Sequence, residues 1–348
     1  MPTARSMTAT AGMEIELHEA PAAVRRQAQA LARPLAALID GLSKRRPAVV
    51  VTCARGSSAH AATFAKHVIE RHLGIPVAAA APNIASVYRR PLHLRDQFFL
   101  AISQSGRSDD LIETAAMARR AGAVTAALVN DPDSPLAAAS EFVLPLAAGP
   151  ELGVAASKSF VASLAGLLHM VALWSGDGDL SAAHGRLPDR LAEAGALDWS
   201  EALDPLGQAT SLMVVGRGPT LAVAREAALK LKETCELHAE AFSAAEFQHG
   251  PMALVARGYP ILAFGPADES AAGVAELAAK LRHKGARVLI AEVGRPQQGR
   301  LPALTPDHPD ADAICLIQSF YAFLIRLAAR RGTDVDRPRH LQKVTRTR

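Results

Sequence analysis

The segment Ser103-Gln104-Ser105-Gly106-Arg107-Ser108 groups three hydroxyls around a glycine directly after an apolar run. In a parallel α/β sheet, ligands bind outside the carboxyl ends of the strands. A helix beginning there offers unpaired N–H groups and a partial positive charge, which suit phosphate. Serine in such a place also caps helices, and for this loop alone capping is the simpler reading. A second hydroxyl loop, Gly56-Ser57-Ser58, follows the first apolar run in the same relation. Two such loops can converge on one anion. Neither matches GxxxxGK[ST] or GxGxxG, which disfavours a dinucleotide. Ser57, Ser58, Ser103, Gln104, Ser105 and Ser108 are therefore candidate ligands of a small phosphate ester, and no cofactor is expected.

A different set lies in the second half of the chain. Lys230 and Glu233, three apart on an expected helix, share a face; alone, the pair reads as a surface ion pair. His249, in Glu246-Phe247-Gln248-His249-Gly250-Pro251, marks a helix end and alone reads as a cap or an exposed residue. Taken together, carboxylate, ammonium and imidazole are the groups that proton abstraction beside a carbonyl needs.

The elements that must position these residues are legible in outline. With 348 residues, about two domains are expected. The composition, 49% hydrophobic and 21% charged, excludes a disordered or collagenous chain. The net charge of +4 is densest in the tail, at Arg337, Arg339, Lys343, Arg346 and Arg348, and aromatics are only 4%. A nucleic-acid surface would carry a larger basic patch with interleaved aromatics, so no nucleic-acid partner is expected. Cys53, Cys235 and Cys315 are far apart, without the spacing of a disulfide framework or a zinc site. No metal is expected. The apolar run Val161–Trp174 is read as too short for a membrane span, and the N-terminus lacks an apolar signal region. The expectation is a cytoplasmic protein without a membrane partner.

Residues 1–12 are expected to be disordered, and Pro21–Leu42 helical. The short, β-branched apolar run Ala48–Cys53 predicts a strand, and further strands are expected at Gly74–Val77, Gln97–Ile102, Val124–Val129 and Phe142–Leu146. Helices are expected over Ala59–Leu73, from Ser108 to Ala121, and over 157–175. Residues 176–200, rich in Gly, Asp and Ser and containing Pro188, are taken as the domain boundary. The pattern then restarts, with strands at Leu212–Val215, Pro260–Phe264 and Arg287–Ile290. Helices are expected at Thr220–Leu237, 269–284 and 313–331. Alternating strands and helices predict an α/β chain with parallel sheets. The expected units are residues 13–190, gripping phosphate, and 195–348, carrying Glu233, His249 and Lys343.

Four stretches in register resemble a known family. Ser103–Ser108 after its strand, ELGVAASKSF (151–160), LKLKETCELHAEAFSAAEFQHGP (229–251) and TDVDRPRHLQK (333–343) are similar to the sugar isomerase (SIS) domain pair. This pair forms the isomerase half of glutamine–fructose-6-phosphate aminotransferase. The resemblance covers Met13 to Lys343. It implies two tandem SIS domains, each a flavodoxin-like parallel sheet with helices on both faces, and a homodimer. It also implies roles. Ser58, Ser103, Gln104, Ser105 and Ser108 match residues that hold the sugar phosphate, and Val154 matches a backbone contact to the sugar. Glu233 matches the base that moves a proton between C1 and C2, with Lys230 the lysine beside it. His249 matches a ring-opening histidine that reaches the neighbouring subunit's site. Lys343 matches a tail lysine able to form an imine with the open-chain sugar.

Two departures from the aminotransferase pattern stand out. Residue 2 is Pro, and only about a dozen residues precede the match, so no glutaminase is expected in this chain. The first loop reads Cys53-Ala54-Arg55-Gly56-Ser57-Ser58, and Arg107 stands where an acidic residue is usual. Both resemble stand-alone members that act as glucosamine-6-phosphate deaminases. The two arginines can pair with phosphate or with acidic neighbours. The leading expectation is conversion of glucosamine 6-phosphate and water to fructose 6-phosphate and ammonia. Rival readings are a fructosamine-6-phosphate deglycase, a simple phosphosugar isomerase and a non-catalytic sugar-phosphate sensor.

Overall fold

Strand residues alternate between two apolar environments, and that alternation sets the layers. The computed structural model describes residues 12–295 and 297–343; the expected disorder over 1–12 lies outside them except for Gly12, which opens a helix. The helix α1 is Gly12–Arg45, followed by β1 Val50–Ala54, α2 Gly56–Leu73, β2 Val77–Ala79, α3 Asn83–Ser86, β3 Phe98–Ser103, α4 Asp109–Arg120, β4 Val124–Val129, α5 Pro135–Ala139 and β5 Phe142–Pro145. Helices α6 Lys158–Ser175, α7 Gly178–Gly195 and α8 Leu203–Gly207 lead to the second unit. There, β6 Ser211–Gly216, α9 Thr220–Cys235, β7 His238–Ser243, β8 Pro260–Phe264, α10 Ala271–His283, β9 Arg287–Ala291, β10 Arg300–Leu301 and α11 Pro309–Arg331 complete the described chain.

Both sheets are five-stranded and parallel, with orders β2-β1-β3-β4-β5 and β10-β9-β8-β6-β7. Counted within each unit, both have the flavodoxin-like order 2-1-3-4-5. On one face of the first sheet, Val51, Cys53, Phe99 and Ala127 pack against Leu111, Ala115 and Ala118 of α4. On the corresponding face of the second sheet, Met213, Val215, Ile261 and Val288 pack against Val274, Leu277 and Leu281 of α10. The opposite faces of both sheets, with α1, α2, α6, α7, α9 and α11, share one continuous apolar cluster.

Two expectations change, and the stretch taken as the domain boundary is structured. The 176–200 stretch is largely the helix α7, despite Pro188, because Leu180, Ala183, Leu187 and Leu191 recur at helical spacing and are buried. The first helix begins nine residues before Pro21, where the Asp336 carboxylate accepts the N–H groups of Gly12 and Met13 at 2.6 and 2.8 Å. The run Val161–Trp174 lies within an 18-residue helix, α6. Both α6 and α11 are long and apolar enough to cross a membrane by length and composition, but 78% of each apolar window is buried inside the molecule. They serve as core helices. The three cysteines are buried and free, and burial pushes the Cys53 thiol up to about 12.

Candidate active site

The carboxyl ends of β1 and β3, where the first sheet reverses its strand order, open into a cleft of about 340 Å³. Such switch points are where ligands bind in open α/β sheets. Ser57, Ser58, Ser103, Gln104, Ser105 and Ser108 line it, with Val154, Lys230, Glu233 and Lys343. Five stretches far apart in sequence thus meet in one space. His249 does not line the cleft; it is exposed, between the short 3-10 turns Glu246–Gln248 and Pro251–Leu254.

The serine loop is built by local hydrogen bonds. Ser103 Oγ accepts the Gly106 N–H at 3.1 Å and Ser105 Oγ accepts the Arg107 N–H at 3.3 Å. Each hydroxyl proton is left to donate elsewhere. Gly106 is required by its φ of +62°, and a Cβ there would meet Ser134 Oγ at 2.2 Å. Ser108 stands at the N-cap of α4 but makes no side-chain capping bond, and Arg55 at the N-cap of α2 makes none either. Capping therefore does not occupy Ser108. The two arginines pair with acidic neighbours. Arg55 donates from Nε and Nη2 to Asp110 Oδ2 at 2.9 and 2.6 Å, and Arg107 donates to Asp131 Oδ2 at 2.8 Å.

The floor of the cleft is a charged chain along α9. Lys230 Nζ lies 2.5 Å from Glu233 Oε2 and 3.3 Å from Glu226 Oε1. Its side chain is 1% exposed, so the pair is not the surface ion pair that its spacing alone suggested. Glu226, which sequence reasoning missed, is a buried hub. Its Oε1 accepts from Ser57 Oγ at 2.9 Å and from the Tyr321 hydroxyl at 3.2 Å, and its Oε2 is 2.8 Å from His60 Nδ1. Burial opposes ionisation of Glu226, but Lys230, His60 and Ser57 outweigh it and hold the carboxyl below the usual range. Burial likewise opposes charge on Lys230, and Glu226 and Glu233 outweigh it, holding the ammonium above the usual lysine range. The Glu226-Lys230-Glu233 spacing of four and three puts all three on one helix face; that pattern was the available signal. Ser57, expected on phosphate, has its hydroxyl committed to Glu226.

The tail closes the opposite wall. Lys343 Nζ donates to Glu151 Oε2 at 2.9 Å and to the Gly153 carbonyl at 2.6 Å. Glu151 also accepts from Ser159. Burial pushes its carboxyl up, but Lys343 and Ser159 prevail and keep it below its ordinary value. The Val154 N–H bonds the Asp336 carbonyl at 3.3 Å.

The comparisons with known proteins agree with this architecture. The family described as SIS domain matches residues 42–173 and 206–291. The chain belongs to the SIS domain family. A glutamine–fructose-6-phosphate aminotransferase of Symbiobacterium thermophilum is 34% identical, over 94% of this chain and 58% of that protein. This SIS protein thus spans little more than half the length of the curated relatives it matches. A solved structure from Silicibacter pomeroyi, designated a phosphosugar isomerase, is 43% identical, with a TM-score of 0.89 over 94% of this chain and 100% of that one. A glucosamine-6-phosphate deaminase from Thermotoga maritima shares the fold, with a TM-score of 0.70 at 21% identity over 94% of this chain and 100% of that one.

Proposed function

We propose that this SIS protein is a phosphosugar aldose–ketose isomerase that works as a glucosamine-6-phosphate deaminase. The observation carrying this reading is the meeting of the serine loops with Lys230, Glu233 and Lys343 in one cleft at the sheet's switch point. Ser58, Ser103, Ser105 and Ser108 hold the phosphate, with Gln104 beside them. With Oε2 engaged by Lys230, Glu233 keeps Oε1 for the substrate. It takes the C2 proton of the open-chain sugar and returns it at C1. The electron pair moves through an enamine-like intermediate, and water then releases ammonia from C2. Lys230, fixed between two carboxylates, positions Glu233. Lys343 faces the sugar from the tail. The direction toward ammonia release rests on the likeness of the Arg55 and Arg107 loops to stand-alone deaminases. In a homodimer, His249 assists ring opening in the neighbouring subunit's site, and its exposure outside its own cleft leaves it available for that.

The test is ammonia release from glucosamine 6-phosphate, galactosamine 6-phosphate and fructoselysine 6-phosphate. The expected result is ammonia from glucosamine 6-phosphate with fructose 6-phosphate as the second product. Release only from the fructosamine assigns the deglycase reaction instead. Tight binding of all three without turnover assigns a sensor.

A further inference from the structure

Helix α2, which brings Ser57 and Ser58 to the cleft, meets α11, whose Tyr321 supports Glu226, in a polar cluster that the proposed reaction does not use. Helix α2 runs from Ser58 at the cleft to His72, about 21 Å along its axis. Helix α11 runs from Tyr321 back to its N-cap, His308. There His72 Nε2 lies 2.7 Å from Asp310 Oδ2, and His308 Nδ1, which accepts the Asp310 N–H at 3.3 Å as the α11 cap, lies 3.9 Å from the same oxygen. One ligand atom from each of the three residues falls within 4.8 Å of the others. The side chains of His72, His308 and Asp310 are 12%, 16% and 0% exposed.

Two further observations point to a cation. The Asp177 Oδ2 lies 3.6 Å from His72 Nδ1. A carboxylate on the side of the ring away from the metal is the usual outer partner of a ligating histidine; at 3.6 Å the contact is electrostatic rather than a hydrogen bond. Arg71 Nη1 holds Asp310 Oδ1 at 3.3 Å, leaving Oδ2 as a single ligand oxygen, and also reaches Asp268 at 3.4 Å. Arg71 thus faces three carboxylates, Asp268, Asp310 and, at 3.9 Å, the exposed Glu269, while Asp177 stands beside His72. The four carboxylates against one guanidinium leave an excess of about three negative charges before the imidazoles are counted, and a divalent ion offsets most of it.

We propose that His72, His308 and Asp310 bind a divalent transition-metal ion. Two imidazoles and a carboxylate are the donor set of zinc, with water completing the shell. The ion joins the first unit, through α2, to the second, through α11, and is structural.

The test uses the full chain stripped with chelator and then given zinc chloride. One zinc per chain retained through gel filtration, a raised melting temperature, and tetrahedral visible bands after cobalt(II) loading are expected. H308Q should abolish the cobalt bands, and D177N, which keeps the α7 cap, should weaken zinc about 10- to 100-fold. H283Q, at an exposed histidine elsewhere, should change nothing. Wild type that retains no zinc, or cobalt bands that survive H308Q, overturns the proposal. So does a loss in H283Q equal to that in H308Q. None of these readouts requires deaminase activity, so the metal site and the proposed function fail separately.

Discussion

Glu233 and Glu226 flank the same ammonium but do different work. Glu233 reaches the cleft; Glu226 is sealed beneath it and faces Lys230, Ser57, His60 and Tyr321. If Glu233 is the base, removing its charge should spare binding. Glu233→Gln is expected to cut ammonia release by about 100-fold or more while leaving fructose 6-phosphate affinity within a few-fold by calorimetry. Unchanged turnover would remove Glu233 from the role of base. Glu226→Gln removes one of two counter-charges from a buried lysine, and such a loss costs about 3 kcal/mol. It should appear as a lower urea midpoint, together with reduced activity. An unaltered midpoint would mean that Glu233 alone satisfies Lys230.

Helices α6 and α7 are joined by a buried histidine pair. His169 and His184 stack with ring centroids 4.3 Å apart, and His169 Nδ1 and His184 Nε2 are buried without hydrogen-bond partners among the described residues. Burial, and then the neighbouring His169, lower His184 to about 3; burial also lowers His169. An unfolded histidine titrates near 6.5, so below that pH the unfolded chain binds protons that the folded one refuses. The stabilising difference is present above about 6.5 and is lost as pH falls from there toward about 3. His184→Leu should flatten the fall in melting temperature over that window. An identical profile would locate the acid sensitivity elsewhere. Element identity was partly readable. The apolar runs of β4 and β8 predict those strands at their observed bounds. Strand β7, His238-Ala-Glu-Ala-Phe-Ser, has no β-branched residue and escaped notice; its pairing with β6 makes it a strand. Helix α7 contains Gly185 and Pro188, poor helix formers, and is held by packing on α1 and α11.

Across the whole molecule, one apolar cluster runs beneath both sheets, so the two units present their chemistry from a common base. The first supplies the serine loops; α9 of the second supplies Lys230 and Glu233. If His249 acts across a dimer, subunits carrying Glu233→Gln and His249→Ala should complement each other. Unfolding and refolding an equal mixture should restore about one quarter of wild-type activity, because half the dimers then hold one intact site of two. Activity no higher than that of either variant alone would place His249 outside the reaction. The sequence by itself determined the α/β class, the two-fold repetition of the pattern and the hydroxyl loops, because strand composition, helical periodicity and strand-to-helix turns are local properties. Only the tertiary structure decided that α1 starts at Gly12, that Lys230 is buried rather than on the surface, and that Ser57 serves Glu226. It likewise decided that Arg55 and Arg107 bind Asp110 and Asp131, and that Lys343 faces the cleft. Each of these depends on a partner brought close by chain folding, and the energy of a charge or a hydroxyl is set by what lies within a few ångströms of it in space rather than by its neighbours in sequence.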